Sequence, residues 1–332
     1  MIKIGIIGIG RVGAQHLERL LESEYFKVVG CFDINQDKLQ RIGDDFNIKC
    51  FDDVDTLIEL CDAVDILTSA DSHFFYAEKA IRFGKHVFID KPISNNLEEA
   101  KRLAELVREA GVKFQIGHIE RFNPAFLALQ HLAVEPKLIE AHRHTTFDDK
   151  RTSDSLLFDV MINDIDIILS VVKANIRHIN ASGVSVLTDK IDVANVRIEF
   201  DNGCVANLNA SRTATQRMKK MLFFQRNHQI TLDFLHRETE VITLSETAGH
   251  NSKPLRMQEN MLFLNSETLI PEEYDALKQE LNSFAHCLIF NTEPKVSVQE
   301  GIRSLEIAQE ILRKINKNNG QQHTTEQLLN VV

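Results

Sequence analysis

Cysteine is scarce and unpaired. Cys31, Cys50, Cys61, Cys204 and Cys287 are odd in number and scattered, with no CxxC or CxxxC among them. That excludes a disulfide framework or a thiolate zinc site and reads as reduced, buried thiols of a cytosolic protein. Basic charge is also short: 38 Lys and Arg stand against 48 Asp and Glu, a net charge of −10. A nucleic-acid partner, which needs a basic surplus on one face, is excluded on that ground, although backbone groups and single arginines can still hold a small anion. No uninterrupted apolar run reaches the roughly 18 residues of a membrane span. The opening "MIKIGIIGIG" lacks the charged, apolar and small-residue order of a signal peptide. Thirteen histidines, among them His142, His144 and His286, include no HExxH spacing, so no metal is expected. No internal repeat is visible either. The chain does have 332 residues with 43% hydrophobic content, enough for two domains.

The first of these is legible from its start. Residues 2–8, "IKIGIIG", are apolar and β-branched with little alternation, as in a parallel strand covered on both faces. Gly8, Gly10 and Gly13 come next as G-x-G-x-x-G, and "AQHLERLLES" continues with helical period. Strand, turn and helix together make a dinucleotide fingerprint. One glycine permits the turn, the next lets the backbone approach a pyrophosphate, and the third lets the helix pack on the strand. The segment Gly8, Ile9, Gly10, Arg11, Val12, Gly13 is therefore the expected phosphate cradle, its N–H groups at the positive end of the helix. A second strand, "FKVVGCFD", ends in Asp33, 20 residues after Gly13, where an acid meets the ribose hydroxyls. Such an acid repels a 2′-phosphate, and no Arg comes after it in "DINQDK", which favours NAD over NADP.

Helices at 36–46, "DVDTLIEL", "HFFYAEKAIRFG" and "NLEEAKRLAELVREAG" then alternate with strands at "KCF", "AVDILTS", "KHVFID" and "VKFQIGH". This alternation specifies an α/β parallel sheet, whose ligand lies at the carboxyl ends of the strands. Thr68, Ser69 and His73 after one strand, and Asp90 and Lys91 after the next, are accordingly expected at the cofactor. Lys91 precedes Pro92, so its backbone is expected to be extended. There its ammonium can hydrogen-bond a substrate hydroxyl, polarise it or remove its proton. At the next strand end, "GHIERFNP", Arg121 can pair with a phosphate, with His118 and Asn123 as further hydrogen-bonding groups and Glu120 holding the arginine. The same residues also read as a polar crossover with a helix starting at Asn123-Pro124.

From about 137 onward the texture is β-rich, in "KLIEAHRHTTF", "HINASGVSVLT", "DVANVRIEFDNGCVANLNASRT", "KKMLFFQRNHQITLDFL" and "TEVITLS". The Asn-Gly of "FDNGCV" marks a hairpin, and alternation gives a sheet with one apolar face. Between the first two of these segments lies "DVMINDIDIIL". At 3.6 residues per turn, Asp159, Asn163 and Asp166 share one helical face, with Met161, Ile165 and Leu169 displaced from it. Two helices, "PEEYDALKQELNSFAHCLIF" and "VSVQEGIRSLEIAQEILRKI", close the folded part. The segment 317–332, polar before a short apolar end, is expected to be a flexible tail or a docking segment.

The ordered set "GIIGIGRVGAQHL", "AVDILTSADSHFFYAEKAIRFGKHVFIDKPI" and "DVMINDIDIILSV" resembles the glucose-fructose oxidoreductase, inositol dehydrogenase and MocA family. The resemblance implies an N-terminal Rossmann domain, here 1–120. It also implies a C-terminal α+β domain, here 121–316, with an open, mostly antiparallel sheet that mediates homo-oligomerisation as dimer or tetramer. The implied reaction is hydride transfer between a sugar or cyclitol C–H(OH) and nicotinamide. Lys91 matches the family lysine, in Asp90-Lys91-Pro92 where Glu-Lys-Pro is usual. Asp159 and Asp166 match the acids of the Asp-x-x-x-His-x-x-Asp motif, and Asn163 stands where the family has its proton-transferring histidine. "GHIERFNPAF" is similar to the segment of members acting on UDP-N-acetylglucosamine-type sugars, the UDP-sugar 3-dehydrogenases.

These implications make Lys91, Asp159 and Asn163 the catalytic candidates, with Asp159 orienting or charge-balancing Lys91. His118, Glu120, Arg121, Asn123, Asp159 and Asn163 form the substrate set, for a sugar or nucleotide-sugar. With Asn163 unable to act as a base, the proton falls to Lys91, a bound water or His118. Two alternatives stand beside this: an NAD and sugar binder with weak or no catalysis, and a dehydrogenase of a free cyclitol or dihydrodiol.

Overall fold

The computed structural model describes residues 1–147, 155–249, 251–257, 260–269 and 274–329. The chain divides into two compact units, Met1–Phe122 with Asp275–Glu306, and Asn123–Tyr274 with Ile307–Val332.

The first unit is a five-stranded parallel sheet in the order β2-β1-β3-β4-β5. Its strands are β1 (Ile2–Ile7), β2 (Phe26–Phe32), β3 (Ala63–Ile66), β4 (His86–Asp90) and β5 (Phe114–Gly117). They alternate with α1 (Arg11–Leu21), α2 (Gln36–Phe46), α3 (Val54–Leu60), α4 (Ala70–Arg82) and α5 (Leu97–Ala110). Local chemistry sets the helix ends: Asn35, Asp53 and Asn96 cap α2, α3 and α5 with their side chains, and Gly111 closes α5 at φ 65°. The strand expected at "KCF" is reduced to one parallel bridge, Cys31 to Cys50, beside β2. Gly30 permits it, because a Cβ there would sit 2.3 Å from the Lys49 carbonyl oxygen. With that bridge counted, the order is the 3-2-1-4-5-6 of dinucleotide-binding folds.

The second unit is built on a nine-stranded sheet in the order β13-β14-β12-β11-β10-β6-β9-β8-β7, antiparallel except for β6 with β9. After a short helix α6 (Pro124–Leu127), the strands are β6 (Leu138–Thr146), β7 (Ile176–Val184), β8 (Val193–Phe200), β9 (Val205–Ala214), β10 (Met218–Gln225), β11 (His228–Asp233), β12 (Glu238–Ser245), β13 (Ser252–Met257) and β14 (Asn260–Leu269). Alternate residues of β8 and β9 are buried, as expected for a sheet with one apolar face. That face packs on α7 (Ile162–Val171), through Ile165, Ile167 and Ile168, and on Ala308, Ile311 and Ile315. The hairpin β13–β14 carries no clear alternation in the sequence. Its Pro254 is tolerated because β13 is an edge strand, where a missing N–H costs no ladder bond.

Two expected boundaries change. The chain after 121 is not one contiguous domain, because α8 (Ala276–Phe290) belongs to the first unit. Its Leu281, Phe284 and Ala285 join the core of β1 and α1, with Phe284 stacked on Phe26 and edge-on to Phe88. The tail, expected from 317 to be flexible or to dock, continues α9 (Val298–Leu329). Asn318 and Asn319 donate side-chain amides to the carbonyls of Ala181 and Gly183 on β7, at 3.0 and 3.2 Å. Residues 271–273 of the expected helix and 330–332 of the expected tail lie outside the described residues.

If α8 completes the first core, Phe284→Ala removes a fully buried ring from it. The expected loss is about 3–5 kcal/mol in denaturant unfolding, and a fragment ending at 122 should fail to give a cooperative transition.

Candidate active site

The glycine turn meets each demand of a dinucleotide cradle. Gly8 has φ 95°, and a Cβ there would lie 2.7 Å from the backbone of Leu67 and Thr68. A Cβ on Gly13 would lie 2.2 Å from the Gly8 carbonyl oxygen. Gly10 has nothing within 4 Å of that position, so the backbone can be approached from outside. Gly10 is also the N-cap of α1 and supplies no side-chain cap to the first helical N–H groups. Asp33 turns its carboxylate onto this loop, accepting from Ile9 N and Asn35 N, both at 2.8 Å. Arg11 is exposed, whereas Val12 and Ile9 turn their side chains to the core, so these two can serve a cofactor only through the backbone. The Ile9 amide is engaged by Asp33. Uncapped helix donors, an open glycine and an acid at the end of β2 fit a dinucleotide.

Beneath the cradle is a buried pair that sequence reading missed. His16 of α1 and Asp65 of β3, 5% and 0% exposed, meet at 2.9 Å. Burial is the largest influence on His16 and opposes its charge, yet Asp65, by charge and hydrogen bond, and Asp90 hold its pKa above the ordinary value. The signal was available: an acid inside the apolar run "AVDIL" has to find a partner.

At the strand ends, Thr68 is half-buried and accepts from the Ser72 hydroxyl at 2.8 Å, and Ser69, exposed, is the N-cap residue of α4. Asp90 and Lys91 are half-buried, and the Lys91-Pro92 peptide bond is cis. His73, expected at the cofactor, has both ring nitrogens engaged by backbone carbonyls. It is 1% exposed, with Nδ1 2.8 Å from the Pro92 carbonyl oxygen and Nε2 3.1 Å from that of Thr68. The ring is a strut between the loops after β3 and β4. Burial pulls its pKa down, against the two carbonyls, Asp90 and Asp71.

The segment after β5 is a 3₁₀ turn, Ile119–Phe122, and His118, Glu120 and Arg121 are all buried. The Arg121 Nη2 lies 3.3 Å from Glu300, a partner sequence reading did not supply. Glu300 also closes a capping box on Ser297 at the start of α9, bonding its N–H at 2.9 Å. Asn123, expected in the substrate set, has both ends of its amide engaged in the scaffold. Its Oδ1 caps α6 by accepting from Ala125 N at 3.1 Å, and its Nδ2 donates to the Phe234 carbonyl at 3.0 Å.

In the second unit, "DVMINDIDIIL" does not begin as an ordinary α-helix. Leu157–Met161 is a π-turn leading into α7, which shifts the phase of the helix residues beyond it. The face expected to join Asp159, Asn163 and Asp166 is therefore uneven: Asp159 and Asn163 are half-buried, whereas Asp166 is 1% exposed. The Asn163 amide donates to the carbonyls of Asp159 and Val160 at 3.2 and 3.0 Å. Asp164, given no role from the sequence, is 3% exposed and paired with Arg143. Among the described residues, Asp233, His236 and Glu238 form one group able to converge on a metal. Asp233 is already held there by Lys220 at 3.0 Å and by the N–H groups of Leu235 and His236.

Fold and cradle together define a dinucleotide-binding class, and comparison with known proteins adds the reaction class. Residues 2–118 match the family described as "Oxidoreductase family, NAD-binding Rossmann fold". The chain is 32% identical over 236 residues to the UDP-N-acetylglucosamine 3-dehydrogenase of Acidithiobacillus ferrooxidans, covering 71% of this chain and 75% of that one. A solved structure of that enzyme superposes with a TM-score of 0.87 at 28% identity, over 95% of this chain and 97% of that one. The myo-inositol 2-dehydrogenase of Thermotoga maritima is 27% identical over 325 residues, covering 92% and 93%. A scyllo-inositol dehydrogenase from Lactobacillus casei, solved with NAD(H) and scyllo-inositol, shares the fold at a TM-score of 0.78 and 19% identity, over 96% and 98%. The chain belongs to the Gfo/Idh/MocA oxidoreductase family. Among the described residues, no helix is long and apolar enough to cross a membrane.

Gly13→Ala pushes a methyl group against the Gly8 carbonyl oxygen and should open the cradle. The expected outcome is at least a roughly tenfold weaker NADH affinity by fluorescence titration, about 1.4 kcal/mol. Unchanged affinity would mean that the nucleotide binds elsewhere.

Proposed function

We propose that the chain is an NAD-dependent dehydrogenase that oxidises a C–H(OH) group of a nucleotide-linked amino sugar, in the manner of a UDP-sugar 3-dehydrogenase. The observation that carries this is the glycine cradle with Asp33 at its rim, in a chain so similar to the UDP-N-acetylglucosamine 3-dehydrogenase. NAD is preferred to NADP because the Asp33 carboxylate repels a 2′-phosphate and the adjoining "INQDK" offers no Arg to receive one.

When bound, the nicotinamide supplies the hydride acceptor. Gly10 and the first N–H groups of α1 would hold the pyrophosphate, and Asp33 would accept from the ribose hydroxyls. Lys91, at the carboxyl end of β4, hydrogen-bonds the reacting hydroxyl and takes its proton. Asn163 cannot do so, since an amide oxygen accepts a hydrogen bond without accepting the proton. Its Nδ2 is committed to the π-turn carbonyls, so Oδ1 is the atom it offers a hydroxyl. Arg121, already paired with Glu300, serves the scaffold of this site more than a substrate phosphate. Association through the polar face of the nine-stranded sheet into a homo-oligomer belongs to the same reading.

The test is reduction of NAD followed by absorbance, with UDP-N-acetylglucosamine, other UDP-sugars and free inositols as substrates. Turnover is expected with a UDP-sugar, and Lys91→Met should lower kcat by about 10² to 10⁴. Asn163→His restores an ionisable acceptor and should raise kcat on the order of tenfold, adding a dependence on pH in the histidine range that the parent chain lacks. Tight NADH binding without reduction by any sugar would overturn the proposal in favour of a non-catalytic binder. Preference for a free inositol would redirect it to a cyclitol dehydrogenase.

A further inference from the structure

Alternation along β6 sends Ile139, Ala141 and Arg143 to the core face of the sheet, so a guanidinium only 2% exposed stands in an apolar row. Burying that charge is costly unless it is paired with good geometry. Both its Nε and its Nη2 bond Oδ1 of Asp164, at 2.9 and 2.7 Å, and its guanidinium carbon lies 5.6 Å from the centroid of the Phe234 ring. Phe234 is anchored in turn, since its carbonyl accepts from Asn123 and, nearby, the Thr239 hydroxyl bonds the Ala125 carbonyl at 2.7 Å.

Apolar packing alone would seat α7 on the sheet, as Ile165, Ile167 and Ile168 do. It would not fix the rotation of the helix about its own axis, because apolar contacts are tolerant of small rotations. A two-donor ion pair is not tolerant, and one whose acid is the residue after Asn163 sets that residue's direction. The need is sharpest here. The π-turn Leu157–Met161 breaks the regular ladder immediately upstream, and the Asn163 amide is itself one of the groups that hold the turn. We propose that Arg143 and Asp164 are positioning residues, which lock the angular setting of α7 and thereby aim Oδ1 of Asn163.

The catalytic part of this inference rests on the proposed function, in which Asn163 receives the hydrogen bond of the reacting hydroxyl. The test uses the full chain. Asp164→Asn alone strands a buried guanidinium and should lower Tm sharply. Arg143→Gln with Asp164→Asn removes both charges and should recover most of the Tm, because neutral replacements of a buried pair are often well tolerated. If the pair positions Asn163, kcat with the UDP-sugar stays about 10- to 100-fold down in the double variant while KM for NAD is unchanged. Arg143→Lys, which keeps the charge but loses the planar fork, should show the same split with a Tm near the parent's.

A second readout does not depend on turnover. The Asn163 side-chain amide, assigned by ¹⁵N NMR, should be protected from exchange in the parent chain and in an Arg313→Gln control on the exposed part of α9. It should be exchange-averaged in the double variant and in Arg143→Lys. Folded variants with full kcat and a protected Asn163 amide would overturn the inference. If the parent chain reduces NAD with no sugar, the functional reading fails, and amide protection alone then decides whether the ion pair positions Asn163.

Discussion

A helix offers its first N–H groups to a phosphate only when the chain ahead of it turns without placing anything over them. Here that condition reduces to a contact: the bare Cα of Gly13 lies directly against the Gly8 carbonyl. It lets α1 start where β1 ends, and everything else in the cradle inherits its place from that. Asp33 can bond Ile9 only because the loop is this short. His16 can reach Asp65 only because α1 lies this close to the sheet. The polar pair under the helix and the open glycine above it are two sides of one close approach.

The second unit solves a different problem. Its sheet buries one face against helices, and apolar side chains are enough to hold them there. Direction comes from the few buried polar groups: Arg143 on Asp164, and the Asn123 amide between the cap of α6 and the Phe234 carbonyl. A half-buried amide such as Asn163 gains a fixed orientation from the carbonyls it serves. That orientation leaves Oδ1 as the acceptor.

Much of this could be read from residue types. The capped helices α2 and α5, the glycine turn and Asp33 rest on local rules that tertiary contacts do not override. Reading failed where a long-range partner decides. The "KCF" strand shrank to a bridge since only Cys31 pairs with it. α8 looked like part of the second domain because nothing in its own residues says that Phe284 meets Phe26 and Phe88. His73 sits in a motif that suggests a ligand, and only its two carbonyl partners show it to be a strut. Regular 3.6 periodicity placed Asp159, Asn163 and Asp166 together, and a π-turn invisible in the sequence separated their environments. Asp164 was overlooked because its partner lies 21 residues away on another element.

The extension of α9 along β7 has a consequence for how this protein behaves in a crowded solution. A nine-stranded sheet has two open margins, and each is a template on which a stray strand could add. At one margin β13 carries Pro254, which has no N–H to give. At the other, Asn318 and Asn319 already occupy the outward carbonyls of Ala181 and Gly183, and Ile315 lies close over Gly183. Both margins are thus blunted against strand addition.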